Sequence, residues 1–285
     1  SAASDVYKRQ QLYEAKFGFN QNTHRIAVGE PLGQFYGYIT EGLYQVDDFN
    51  YDASTQTYTL KDGVPYHGDK GQIRPGMWKF KNLTGDDNVI DENDKTVIGN
   101  AQPKFYGGLN NSFTYKGFDL SIFLTFSYGN EVLNATKLVT SKVGSLNYNA
   151  LDVMNSSNRW MTINSDGQKV TDPGELAALN VGKTVAAYHD AQQGDNYIHS
   201  WAVEDASYLK LSNVTLGYTF PKNLIARVGL KNLRLYATGN NLLTWTKYSG
   251  FDPEVSTMKS GLTPGVDFGA YPLSRSFIFG LNVAF

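Results

Sequence analysis

The chain contains no cysteine, so it can build no disulfide framework, thiolate metal site or thiol nucleophile. It has no apolar run approaching the ~18 residues that a membrane-spanning helix needs, which excludes helical membrane topology. A transmembrane barrel stays open, because alternating strands average to a low hydropathy; the mean here is −0.37. Neither sign of charge prevails, with 25 Lys and Arg against 27 Asp and Glu. Nucleic acid and anionic membrane surfaces therefore lose their electrostatic case as partners. The four histidines, His24, His67, His189 and His199, match no metal-binding spacing. Gly182-Lys-Thr184 lacks the glycine of a phosphate loop, since Ala177 stands five residues before Gly182. No G-x-S-x-G occurs either, so the chain is not expected to be an enzyme.

What is abundant is aromatic and turn-forming: 19 Tyr, 16 Phe and 28 Gly. The last ten residues, Ser276 to Phe285, alternate with period two. Phe277, Phe279, Leu281, Val283 and Phe285 share one side; Ser276, Gly280, Asn282 and Ala284 share the other, with Ile278 the one large exception. A terminal strand with a bare apolar side suits lipid better than water. Five further segments alternate: Leu12–Asn20, Phe105–Tyr115, Phe118–Tyr128, Tyr208–Phe220 and Leu233–Thr244. In Phe118–Tyr128 every second residue is Phe, Leu, Ile or Tyr, and Asp119, Ser121, Thr125 and Ser127 lie between them. The alternation changes phase near Ser212-Asn213, which predicts a bulge.

The connections are unequal in a regular way. Lys116-Gly117 and Pro221–Lys231 are short; 21–104, 129–207 and Tyr248–Leu273 are long and polar. Compact soluble domains seldom hold such long connections. A bacterial outer-membrane barrel has short turns on one side and long extracellular loops on the other. Six strands cannot close a barrel, which takes about eight at least, so the expectation is a C-terminal fragment. Residues 1–10 resemble translated sequencing-adapter sequence and are set aside as a non-native tail, leaving 11–285 as barrel. A secreted β-sandwich that binds carbohydrate or mediates adhesion is the rival reading, with the same strands and aromatic loops.

Two groups of loop residues invite chemistry. Asn82 to Asp94 approximates a calcium loop, with Asp86, Asp91 and Asp94 as the candidate ligands. It departs from that pattern in its first position, in a missing glycine and in an inserted residue. The plainer reading is a solvated acidic loop with Ile90 turned inward. Trp78, Trp160, Trp201 and Trp245 lie in or beside loops, and Trp160 and Trp201 are the candidates for stacking on a sugar. Trp245 and Tyr248 suit an interfacial aromatic belt instead.

Several stretches together resemble one family. They are Val28-Gly-Glu-Pro-Leu-Gly-Gln-Phe-Tyr-Gly-Tyr38 with Glu41-Gly-Leu-Tyr44, Asp91-Glu-Asn-Asp-Lys-Thr-Val-Ile-Gly99 with Pro103-Lys-Phe-Tyr-Gly-Gly108, and Tyr115-Lys-Gly-Phe-Asp-Leu120. Asn158-Arg-Trp160, Glu204-Asp-Ala-Ser-Tyr-Leu-Lys-Leu211 with Val214-Thr-Leu-Gly-Tyr218, and Gly239 through Asp252-Pro-Glu254 complete the set. The order and spacing resemble SusC/RagA-like TonB-dependent outer-membrane transporters of Bacteroidetes, from Leu12 to Phe285. That resemblance implies a plugged barrel of about 22 strands, of which this all-β chain supplies the last six or so. It also implies import of oligosaccharides or peptides, TonB acting through a part upstream, a SusD-like surface lipoprotein as partner, and an outer-membrane location among lipid.

Overall fold

The computed structural model describes residues 11–14, 22–85, 87–141, 151–187, 197–257 and 261–285, with backbone only at 11–14. The adapter-like tail at 1–10 lies outside the described residues. The chain divides into two units. A wall unit comprises 101–132, 204–256 and 269–285, and a loop unit comprises 1–100, 133–203 and 257–268.

The wall unit is one antiparallel five-stranded sheet. Its strands are β1 (Phe105–Tyr115), β2 (Phe118–Tyr128), β3 (Tyr208–Thr219), β4 (Asn232–Thr246) and β5 (Ser276–Ala284), paired in chain order. Each has 9 to 15 residues, and about 9–11 suffice for a tilted strand to cross a bilayer. The sixth segment differs. Of Leu12–Asn20 only the start is described; it belongs to a strand at Gln11–Glu14 that pairs with Asn22–Ile26 in a separate sheet. Alternation marks a strand but does not say which sheet takes it.

Lys116 and Gly117 both have positive φ (47° and 89°), the type I′ geometry that matches the twist of a two-residue hairpin. Leu211 pairs with Leu124 and Asn213 with Phe123, so Ser212 is the extra residue of the expected bulge. The register also places the connections. Phe105, Tyr128, Tyr208 and Thr246 stand at one end of the sheet; Tyr115, Phe118, Tyr218 and Arg234 stand at the other. Every long connection leaves the first end and every short one the second.

Residues directly opposite in a sheet share a face, so the register defines two faces. One carries Phe113, Leu120, Leu216, Ala237 and Phe279 across all five strands, with Leu109, Leu124, Leu211 and Leu243 in a parallel row. Its ends are aromatic. Phe105 stacks on Tyr128 at 4.9 Å near Trp245, and Phe118 meets Tyr218 at 4.6 Å. The other face carries Asp119, Thr125, Asn213, Thr215, Thr238 and Arg234. Phe279 and Phe277 are 81% and 66% exposed, so the apolar face lies bare in this chain.

The loop unit has its own core of Tyr38, Leu43, Trp78, Phe80, Trp160 and Leu176, with a smaller cluster of Tyr44, Phe49, Leu60, Ile73 and Met77. Short strand pairs carry five of these side chains: Thr40–Leu43 with Trp78–Phe80 hold Leu43, Trp78 and Phe80, and Phe49–Asp52 with Thr57–Leu60 hold Phe49 and Leu60.

Candidate functional site

On the polar face of the wall, Asp119 of β2 and Arg234 of β4 meet across the intervening β3. The Arg234 Nε and Nη2 donate to the two carboxylate oxygens at 3.0 and 2.5 Å, a bidentate charge-assisted pair. Gly217 of β3 makes this possible. A Cβ there would lie 2.5 Å from both Arg234 Nη2 and Asp119 Oδ1. Around the pair run hydroxyl and amide contacts: Thr215 with Thr238 at 2.8 Å, Asn213 to Asn240 at 2.7 Å, and Thr125 with Ser212 at 2.7 Å. This face is hydrogen-bonded side chain to side chain, a pattern that suits a water-lined wall better than a lipid-facing one.

Gly217→Ala is expected to part the ion pair and lower the stability of the full-length barrel by about 1 kcal/mol, a modest figure because both side chains are partly exposed. The loss should vanish in an Asp119→Ala background, where no pair remains to break. Heat-induced mobility shifts of the folded barrel would measure both. Equal losses in the two backgrounds would contradict the account.

Nearer the long-loop end, Lys210 is 4% exposed and pairs with Glu254, which also accepts from the Tyr208 hydroxyl at 2.5 Å. Lys210 and Tyr208 lie on β3, and Glu254 lies in the segment after β4. The pair therefore fastens that segment to the polar face. Tyr248 is 5% exposed among Val132, Ala206 and Val255, so it packs inside rather than joining a belt. Trp245, at 51% exposure on the apolar face, fits the belt.

Of the candidate calcium ligands, Asp86 lies outside the described residues. Asp94 is fully buried, and its carboxylate accepts from the N–H groups of Leu83, Thr84 and Asp91 at 2.7–3.1 Å. Burial alone would raise its pKa. The Asp91, Thr84 and Leu83 amides and the Thr84 hydroxyl outweigh burial and hold it below the usual carboxylate range. Asp91 caps the same turn, accepting from Asn93 N–H at 2.7 Å. Among the described residues no group of three His, Asp or Glu side chains is placed to hold a metal. Ile90 is 4% exposed and turned inward.

The two candidate stacking residues are both packed. Trp160 is 2% exposed, and its ring lies against Gly76, where a Cβ would come within 2.4 Å. It is a core side chain, and the backbone N–H of Trp160, at the end of the Asn158-Arg-Trp160 turn, donates to Val185 O at 2.8 Å. Trp201 is half-buried, with the Lys137 ammonium 4.2 Å from its ring centroid and Trp78 at 4.9 Å. The sequence did not point to His67, which is 2% exposed and ringed by Tyr44, Phe80 and Tyr197. Neither of its nitrogens has a hydrogen-bond partner among the described residues.

No protein-family model matches the chain. Over 270 residues it is 33% identical to TonB-dependent receptor P3 of Formosa agariphila, covering 93% of this chain and 23% of that protein. It is 29% identical over 224 residues to TonB-dependent receptor SusC of Bacteroides thetaiotaomicron, covering 77% of this chain and 18% of SusC. In three dimensions it resembles a chain of the RagAB peptide transporter, with a TM-score of 0.62 and 21% identity over 97% of this chain and 24% of that one. The chain thus spans about a quarter of the length of the relatives it matches.

Proposed function

The chain belongs to the SusC/RagA-like TonB-dependent receptors, over about a quarter of their length, and on that premise we propose that it forms part of the barrel wall of an outer-membrane nutrient importer. The observation that supports this most is the sheet itself. One face is apolar across five strands and aromatic at both ends; the other is mostly polar and hydrogen-bonded, with Phe123, Tyr236 and Ile278 among its side chains. Such a sheet separates lipid from a watery lumen. A soluble sandwich would bury that apolar face in a core, whereas Phe277 and Phe279 are exposed here.

In this reading β1 and β5 continue into strands outside the chain, since an open edge in lipid leaves backbone groups unpaired. The long connections lie outside the cell and the Lys116-Gly117 turn faces the periplasm. A SusD-like lipoprotein partners the outer loops, and TonB drives import through another part of the protein. The cargo is an oligosaccharide or a peptide.

Epitope tags test the topology. In the full-length protein, a tag after Gly167 should be labelled on intact cells, and one after Lys116 only after the outer membrane is permeabilised. Labelling of both, or of neither, on intact cells would remove the barrel reading. Loss of uptake of one nutrient class on deletion of the gene would establish import.

A further inference from the structure

The loop unit contains an open cavity of about 390 Å³ that none of the motifs addresses. That size falls in the range of small-molecule sites. Its apolar lining is Pro75, Val170, Leu176 and Tyr58. Its polar lining is Arg74, Lys169, Gln56 and the threonines Thr57, Thr162 and Thr171. No acid is among the lining residues. The nearby Asp172 is engaged elsewhere, accepting from Glu175 N–H at 3.0 Å as the cap of the helix Pro173–Leu179.

The cavity is held in shape. The Tyr58 hydroxyl donates to Thr171 O at 2.7 Å, tying the hairpin that carries Gln56, Thr57 and Tyr58 to the opposite wall. Gln56 sits in the left-handed region (φ 54°), a conformation that costs a non-glycine residue about 1 kcal/mol. The Arg74 guanidinium is anchored through Nη1 to Gly71 O at 2.8 Å and Ile73 O at 2.7 Å. Among the described residues the guanidinium makes no other hydrogen bond, which leaves donors for a ligand.

We propose that this cavity binds an anionic sugar, a pyranose bearing a carboxylate. The carboxylate meets Arg74 and Lys169, the ring hydroxyls meet the threonine and glutamine side chains, and the C–H face lies on Tyr58 and Pro75. Arg suits a carboxylate because its planar fork offers paired donors; Lys adds a point charge. A neutral sugar would gain nothing from the charge of the two cations. A peptide carboxylate could meet the cations but would leave the hydroxyl lining largely unused. The inference deepens the import reading and rests on it only for why such a ligand would be gathered.

Calorimetry on the full-length receptor in detergent tests it, with trigalacturonate, neutral galactotriose and trialanine as probes. Trigalacturonate should bind saturably. Arg74→Gln with Lys169→Gln should weaken it by about tenfold or more, the scale of losing charge-assisted hydrogen bonds. Lys169→Gln alone, on an exposed side chain, should weaken it several-fold without touching the fold. The proposal is overturned by absence of trigalacturonate binding, by equal binding of galactotriose, by preference for trialanine, or by unchanged affinity in the Lys169→Gln variant. The assay needs no transport. Failed uptake with intact binding would therefore count against import and not against this site.

Discussion

Trp160→Ala is expected to destabilise the loop unit by about 3–5 kcal/mol, the usual cost of truncating a large core aromatic. The ring is 2% exposed and lies against Gly76, whose own φ of +85° and backbone hydrogen bonds with Tyr44 and Ala187 fix the backbone there. Removing the ring leaves a cavity that this clamped turn cannot close. Amide hydrogen exchange on the full-length protein should show lost protection around 74–80 and 158–187. Trp201→Ala, which removes a half-buried ring, should lose much less. The pair of variants separates two roles for the same residue type. A stacking platform would lose ligand affinity with exchange unchanged; a core side chain would lose protection first. Unaltered exchange in Trp160→Ala would return it to the ligand-binding candidates.

The wall was largely legible in the sequence and the loops were not, for a physical reason. A strand between lipid and a polar lumen must alternate along its whole length, so Phe118–Tyr128 declares both its faces. The bulge at Ser212 and the turn at Lys116-Gly117 were readable because a phase shift and a glycine in a two-residue link are local signals. The loops have no such period. Leu12–Asn20 alternates, yet the described part pairs in a loop-unit sheet. Trp160 and Trp201 looked alike as loop tryptophans, and only tertiary packing separates a buried ring from a half-covered one. The Asp119–Arg234 pair is 115 residues apart in sequence and depends on a glycine on a third strand. Charges on the polar side of alternating strands were the available signal, but nothing local identifies their partners.

His67 carries the strongest pH prediction. Its imidazole is enclosed by Tyr44, Phe80 and Tyr197, and burial pushes its pKa down to about 4 from the ordinary 6.5. The folded state therefore resists a proton that the unfolded chain accepts. The stability tied to this group is full above pH 6.5, falls as the pH drops from 6.5 toward 4, and changes no further below that. A shift of this size corresponds to on the order of 3 kcal/mol. His24 adds to the loss in the same direction, because burial lowers its pKa too, although its bond to Pro264 O works against that. His67→Phe keeps a ring among rings and removes the titrating group, and it forfeits no hydrogen bond to the described residues. That variant should match the parent at neutral pH and keep most of its loop-unit protection at pH 4.5, where the parent loses it. Hydrogen exchange or tryptophan fluorescence followed from pH 7.5 to 4 would read the difference, Trp78 standing close by in the same core. An identical acid profile in the two proteins would mean that His67 is not the group whose protonation opens this core.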